Sequence, residues 1–152
     1  MREAIRLSRE GCAAGEGGPF GAVIVETATG RAVGRGCNRV LSTNDPTAHA
    51  EVVAIREASH ALGRFHLDGC QLFASCEPCP MCLAAAYWAR IDRIWYANAR
   101  EDAAAIGFQD ESLYAELAAP LDRRTMPLVR LLGGEARAVF DEWARSPGRR
   151  LY

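Results

Sequence analysis

Residues 70–90 have the sequence CQLFASCEPCPMCLAAAYWAR and decide which fold is expected for this chain. The short apolar run at 70–74 predicts a buried strand. Pro80 suits the first position of a helix, because its missing N–H is not needed there, so a helix is predicted from Pro80 to Arg90. A strand that leads through a short turn into a helix is typical of α/β proteins.

The rest of the chain supplies the other elements of such a fold. Two short strands joined by a turn predict an antiparallel hairpin, and one-sided apolar spacing predicts helices. The further predicted strands are 20–25, 32–40, 93–97 and 128–132, and the further predicted helices are 3–14, 48–62 and 135–145, with short helical pieces over 103–117. Together they predict an α/β fold, a three-layer α/β/α sandwich with a mixed five-stranded sheet.

Length and charge limit the classes of protein to consider. The 152 residues suit one domain, 1–152, and the formal charge of -1 argues against a nucleic-acid partner, which calls for a basic surface. No apolar run approaches the roughly 20 residues of a membrane helix, and Met1 to Arg9 lacks the apolar core of an export signal. We therefore expect a cytoplasmic, soluble protein with no membrane partner.

Two short motifs predict a metal centre. His49-Ala50-Glu51 lies at the start of one predicted helix, and Cys79-Pro80-Met81-Cys82 lies at the start of another. Catalytic zinc sites use three nitrogen or sulfur ligands and leave one position open for water. His49, Cys79 and Cys82 are therefore the predicted zinc ligands, and the predicted cofactor is Zn2+.

Glu51 and Cys76 lie two and three residues from the predicted ligands His49 and Cys79. Glu51 is not required as a ligand, and it is the predicted catalytic residue, which moves protons between a metal-activated water, a ring nitrogen and a leaving amine. Cys76 leaves an alternative open, because Cys76-Glu77-Pro78-Cys79 has the same two-residue spacing. The helix start favours Cys79 and Cys82, with Cys76 as a buried structural thiol.

With these motifs in view, the chain resembles the cytidine deaminase-like superfamily over nearly its whole length. It is most similar to the small bacterial guanine deaminases. The stretches that resemble the family are 17–25 (GGPFGAVIV), 44–51 (NDPTAHAE), 76–83 (CEPCPMCL), 87–90 (YWAR) and 107–110 (GFQD).

The resemblance implies hydrolysis of guanine, a small purine base, to xanthine and ammonia, with water attacking ring C2. It implies that Asn38 binds the purine edge, that Asp110 accepts hydrogen bonds from guanine N–H groups, and that Trp88 forms a stacking wall. It also implies a homodimer whose C-terminal segment, about 120–152, is exchanged between subunits. Tyr152 would then close the partner's pocket.

Other interpretations stay open at this point. The same zinc motifs would serve a deaminase acting on cytosine, cytidine, guanosine, tRNA adenosine or an aminated triazine. A zinc-stabilised binding module without turnover is a third class, but it has no need of Glu51. Each substrate residue also has a structural alternative: Asn38 closing a turn, Asp110 capping a helix at Glu111, Trp88 in the core, and Tyr152 as a frayed terminus.

Overall fold

The structure, a computed structural model, describes residues 1–151. Four strands and seven α-helices occur in this part of the chain, together with one 3-10 turn. In chain order they are α1 (Arg2–Ala13), β1 (Gly21–Glu26), β2 (Ala32–Cys37), α2 (Val40–Thr43), α3 (Ala50–Leu62), β3 (Cys70–Cys76), α4 (Pro80–Trp88), β4 (Arg93–Asn98), α5 (Arg100–Ala105), α6 (Glu111–Ala118), the 3-10 turn (Leu121–Arg123) and α7 (Gly133–Arg145).

The four strands form one mixed sheet in the order β2-β1-β3-β4. β1 pairs antiparallel with both β2 and β3, whereas β3 and β4 are parallel. The antiparallel hairpin expected from the sequence is therefore present. Because β3 and β4 are parallel, α4 forms the crossover between them, as a parallel pair requires.

Helices cover both faces of this sheet. Successive residues of a strand face opposite sides of the sheet. A Cβ placed on Gly21 would meet the backbone of α1, 2.1 Å from the Ala4 carbonyl oxygen. A Cβ on Gly36, which pairs with the next residue of β1, would lie 2.2 Å from the Ala50 carbonyl oxygen of α3. α1 and α3 therefore lie on opposite faces, and the three predicted layers are present.

Small residues bring α3 unusually close to the sheet. The buried face of α3 consists of Ala50, Ala54 and Ala58, which pack above Gly34 and Gly36 of β2. Larger side chains such as Ile24, Leu67 and Leu72 complete the core around them. This close packing fixes the position of the first turn of α3 relative to the ends of the strands.

The prediction of a fifth strand at 128–132 is wrong. The sheet has four strands, and residues 128–132 are an exposed segment without strand pairing in the described chain. An apolar run forms a strand only where a neighbouring strand offers backbone partners, and the sequence pattern carries no information on that neighbour. Leu132 adopts a left-handed backbone conformation and leads directly into α7. The presence of α7 confirms the terminal helix predicted at 135–145.

By its internal contacts the chain divides into two compact units, Met1–Glu111 and a second that begins at Ser112. The first unit contains the sheet and helices α1 to α5. The described part of the second contains α7 and most of α6. None of the helices that the structure describes is both long enough and apolar enough to cross a membrane.

Candidate zinc-binding active site

The functional side chains lie at one end of the sheet in the first unit. This end holds the carboxyl ends of β2 and β3 and the start of β1, since Gly21 pairs with Cys37 and Ala22 pairs with Ala74. Helices α3 and α4 both begin here. Crevices at the carboxyl ends of strands are the usual binding sites of α/β sheets.

Three possible metal ligands converge at the two helix starts. His49 is the residue before the first turn of α3, and Cys79 holds the same position on α4, with Cys82 one turn further. The Nδ1 atom of His49 lies 3.6 Å from Cys79 Sγ and 3.5 Å from Cys82 Sγ. The donor atoms of all three lie within 4.8 Å of one another, so one ion can contact all of them.

The two thiols differ in how readily they lose a proton. Hydrogen bonds from the Cys82 thiol and the His49 ring lower the pKa of Cys79 to about 4, although burial acts in the opposite direction. The pKa of Cys82 is raised, first by its hydrogen bond with Cys79 and then by burial. The hydrogen bond with Cys79 raises the pKa of the His49 ring. Zinc binding here would release the remaining protons, because cysteine binds zinc as the thiolate and histidine as the neutral ring.

Cys76 differs from these two cysteines. It is the last residue of β3, and its sulfur lies 3.7 Å from the Ala99 carbonyl oxygen. It also lines the cavity described below. Burial raises the pKa of its thiol to about 11, so it is a neutral thiol at neutral pH. It is not part of the converging group of His49, Cys79 and Cys82.

Glu51 lies in the first turn of α3, beside the three donors. Its side chain is buried, and its Oε2 accepts a hydrogen bond of 3.4 Å from the Cys82 thiol. Burial raises the pKa of this carboxyl above its ordinary value. A carboxyl with a raised pKa can both accept and release a proton near neutral pH, which is the property that general acid–base catalysis needs.

A cavity of about 260 Å³ opens above these residues. It is slightly smaller than the pockets of roughly 300–1,000 Å³ that take drug-sized ligands. The residues that line it are Gly18, Phe20, Asn38, Val40, Leu41, Pro46, His49, Glu51, Cys76, Glu77, Cys79, Ala103, Phe108 and Asp110. The predicted residues His49, Glu51, Cys79, Asn38 and Asp110 therefore share one cavity.

Asn38 is buried and held in one orientation. Its Oδ1 accepts hydrogen bonds from the backbone N–H groups of Gly18 (3.3 Å) and Val40 (3.2 Å). Because the oxygen is occupied in this way, the amide NH₂ is the group left to meet a ligand. Asn38 thus does close a turn, as the structural alternative held, and it lines the cavity as well.

Asp110 lies at the rim of the cavity, directly before α6. Burial and the nearby Cys79 raise the pKa of its carboxyl. Phe108, two residues earlier, packs edge-to-face on Phe20 with ring centroids 4.9 Å apart. The two rings form an apolar wall beside the carboxyl.

The other two predicted substrate residues are placed differently. Trp88 is at the end of α4, 71% exposed, and does not line this cavity. Tyr152 lies outside the described residues. Their predicted roles stay predictions.

Several lining residues were not assigned from the sequence. Phe20 and Phe108 stand beside glycines in stretches that resemble the family, so their neighbourhood was a usable signal. Val40 and Leu41 gave no such signal, because Val40 was predicted as the end of the strand 32–40, whereas β2 ends at Cys37 and both residues belong to α2. Only the fold brings that pair to the cavity.

The donor set fits zinc. One nitrogen and two sulfurs are the ligands zinc prefers, and three protein ligands leave a position for water. Zinc bound here would supply Lewis-acid activation of that water. The buried Glu51 carboxyl lies next to this position, hydrogen-bonded to Cys82.

The comparisons with known proteins agree with this geometry. Residues 1–98 match the family model described as the cytidine and deoxycytidylate deaminase zinc-binding region. The chain therefore belongs to the zinc-binding cytidine and deoxycytidylate deaminase family.

Within that family, the chain is similar to a guanine deaminase of Bacillus subtilis (strain 168), with 46% identity over the whole chain and 96% of the relative. The X-ray structure of a guanine deaminase from Bacillus subtilis superposes with a TM-score of 0.95, covering 99% of this chain and 95% of that one. A tRNA-specific adenosine deaminase of Agrobacterium fabrum is 49% identical over 78 residues, 51% of this chain and 50% of the relative.

Proposed function

We propose that this protein is a zinc-dependent guanine deaminase that hydrolyses guanine to xanthine and ammonia. The observation on which the proposal rests is the buried Glu51 carboxyl beside His49, Cys79 and Cys82, at the floor of a cavity the size of a small ligand. The similarity over the full chain to a guanine deaminase supports this substrate over the others in the family.

The cavity offers the hydrogen-bonding groups that a guanine ring needs. Asn38 presents an amide NH₂ to an acceptor on the purine edge, because its oxygen is already engaged. Asp110 presents a carboxylate to the adjacent N–H donors of guanine, and a carboxylate can accept two of them together. Phe20 and Phe108 supply an apolar wall for the ring.

Glu51 is the proton carrier in this proposal. With guanine C2 beside the metal site, the Glu51 carboxylate takes one proton from the attacking water and passes it to the ring nitrogen next to C2. It then takes the second proton of that oxygen and passes it to the leaving amine. Its buried position keeps competing water away from these transfers. Loss of the C2–N bond releases ammonia and leaves the carbonyl of xanthine.

We further propose a homodimer in which the segment of about 120–152 is exchanged and Tyr152 closes the partner's pocket. Support comes from α7, whose apolar residues Val139, Phe140 and Trp143 are all exposed, Phe140 by 76%. Exposed apolar surface of this extent typically marks an interaction site. In the single chain Trp88 is exposed too, so its proposed stacking role depends on the assembly.

A cytoplasmic location and a role in purine breakdown complete the proposal. Two of the six reduced cysteines are needed as metal ligands, and thiols stay reduced in the cytoplasm. The product, xanthine, is a free base that an oxidising enzyme or a salvage enzyme could consume.

The direct test is ammonia release from a panel of substrates. Purified zinc-loaded protein would be incubated with guanine, adenine, cytosine, cytidine and guanosine, and with a tRNA anticodon stem-loop containing adenosine. We expect ammonia from guanine well above the other compounds. Faster release from cytidine or from the RNA would overturn the guanine assignment while leaving the deaminase class intact, and release from none of them would favour a binding module.

A further inference from the structure

One wall of the cavity is formed by a very short helix. Val40 and Leu41 line the cavity, and both belong to α2, which has only four residues. A single helical turn is not stable by itself, because forming it fixes many dihedral angles for few hydrogen bonds. Asn38 Oδ1 accepts the N–H of Val40, the first residue of this helix, whereas Arg39, the residue directly before it, has no side-chain acceptor for the next two N–H groups. The position of α2 must therefore be fixed by contacts from elsewhere in the chain.

The contacts to the next two N–H groups come from Glu16. The backbone carbonyl of Glu16 accepts hydrogen bonds from the N–H groups of Leu41 (3.2 Å) and Ser42 (3.1 Å). Its side-chain Oε2 also accepts a hydrogen bond of 2.5 Å from the Ser42 hydroxyl. A hydrogen bond from a hydroxyl to a charged carboxylate belongs to the stronger class of hydrogen bonds, whatever its exact length.

Glu16 is itself held in place from the other side. Its N–H donates to the carbonyl of Gly11 (3.0 Å), at the end of α1. The next residue, Gly17, lies so close to Asn38 that an added Cβ would be 2.1 Å from the Asn38 side-chain oxygen. Any movement of Glu16 would thus shift α2 and disturb Asn38 together.

We propose that Glu16 is a positioning residue that fixes the α2 wall of the cavity through its side-chain hydrogen bond to Ser42. Glu16 and Ser42 do not line the cavity themselves, but Val40, Leu41 and Asn38, which they position, do. The role therefore concerns substrate binding. It leaves the metal ligands and Glu51 untouched. The inference deepens the proposed function and, in its kinetic part, rests on it.

Steady-state kinetics with guanine test this role. We expect Glu16→Ala to raise KM about fivefold, with kcat within about twofold of the wild type and zinc content unchanged, since uniform binding is lost and the chemical step is not. Ser42→Ala should have the same effect, and the double variant should raise KM no further than the larger single change. Glu16→Gln keeps an acceptor oxygen and should recover part of the loss. Glu10→Ala, which removes an exposed carboxylate paired with Arg6, is the matched control.

Hydrogen exchange gives a measurement that does not depend on the substrate. In Glu16→Ala the amides of Leu41 and Ser42 should exchange several-fold faster than in the wild type, whereas those of β3 should not change. Unchanged exchange at both amides, an unchanged KM, or a fall in kcat at constant KM would each overturn the role of Glu16. If the wild type releases no ammonia from guanine, the proposed function fails, and the exchange experiment still decides the positioning role.

Discussion

His49 and Glu51 are two residues apart but perform different tasks because their positions on α3 differ. His49 precedes the first turn and has an extended backbone, which turns its ring towards the two cysteine sulfurs. Glu51 is inside the first turn and is buried beside Cys82. The Cys79 and Cys82 pair follows the same rule on α4. In both helices, the residue directly before the helix and a residue within its first turn face the same site.

Glu51→Gln should separate metal binding from proton transfer. The amide fills the same space but cannot carry a proton, so kcat for ammonia release should fall by about 1,000-fold or more. Zinc content should equal that of the wild type, as measured by metal analysis. Glu57→Gln on the exposed side of the same helix is the control and should retain activity. An active Glu51→Gln enzyme would remove Glu51 from the mechanism.

The three cysteines should differ in their effect on zinc. Cys79→Ala or Cys82→Ala removes one of three ligands, so each variant should purify with little bound zinc. Cys76→Ala should keep its zinc, because Cys76 is outside the converging group of His49, Cys79 and Cys82. Metal analysis of the three proteins checks this. Zinc loss in the Cys76 variant with retention in the Cys82 variant would show that Cys76 is the ligand.

At the scale of elements, the packing of α3 on the sheet determines where the site forms. The alanines of α3 and the glycines of β2 leave no space between helix and strand. The start of α3 is thereby fixed relative to the end of β3, from which the chain enters α4. The site depends on two helix starts that are held by one sheet.

Gly36→Ala tests the importance of this close packing. The new methyl group would lie 2.2 Å from the Ala50 carbonyl oxygen, which is backbone and cannot move aside cheaply. We expect a loss of about 2 kcal/mol in the free energy of unfolding. Thermal unfolding should show a drop in Tm of roughly 6 °C, together with weaker zinc retention. Gly148→Ala, where the added atom meets nothing within 4 Å, should leave both unchanged.

At the scale of the whole molecule, much apolar surface is exposed in the single chain. It includes Trp95 and Tyr96 on β4 and Phe140 and Trp143 on α7. The proposed homodimer with an exchanged C-terminal segment would cover such surface, which would account for the exposed apolar side chains.

Deleting Tyr152 tests whether the C-terminus serves the site. We expect kcat/KM for guanine to fall at least about tenfold, because a group that closes the pocket is removed. Circular dichroism and Tm should match the full chain, since the sheet and its helices are unaffected. Sedimentation of the full chain should show a dimer. Unchanged kinetics would remove Tyr152 from the site, and a monomer would contradict the exchanged segment.

Local patterns in the sequence were sufficient to predict four strands, the main helices and the chemistry of the metal site. Periodicity, Pro80 and the spacing of His49, Glu51, Cys79 and Cys82 all act over a few residues, so they can be interpreted without the fold. The resemblance added Asn38 and Asp110, and the structure places both in the cavity. The strand predicted at 128–132 failed because pairing depends on a distant neighbour.

The sequence alone determined the class of chemistry, because the ligand types and their spacing on two helix starts define a zinc site with a carboxyl nearby. Tertiary structure alone decided that the sheet has four strands and that Phe20, Leu41 and Phe108 line the cavity. It also decided that Glu16 meets Leu41 and Ser42 of α2. These features arise between segments far apart in the chain, where only the folded backbone sets which atoms meet.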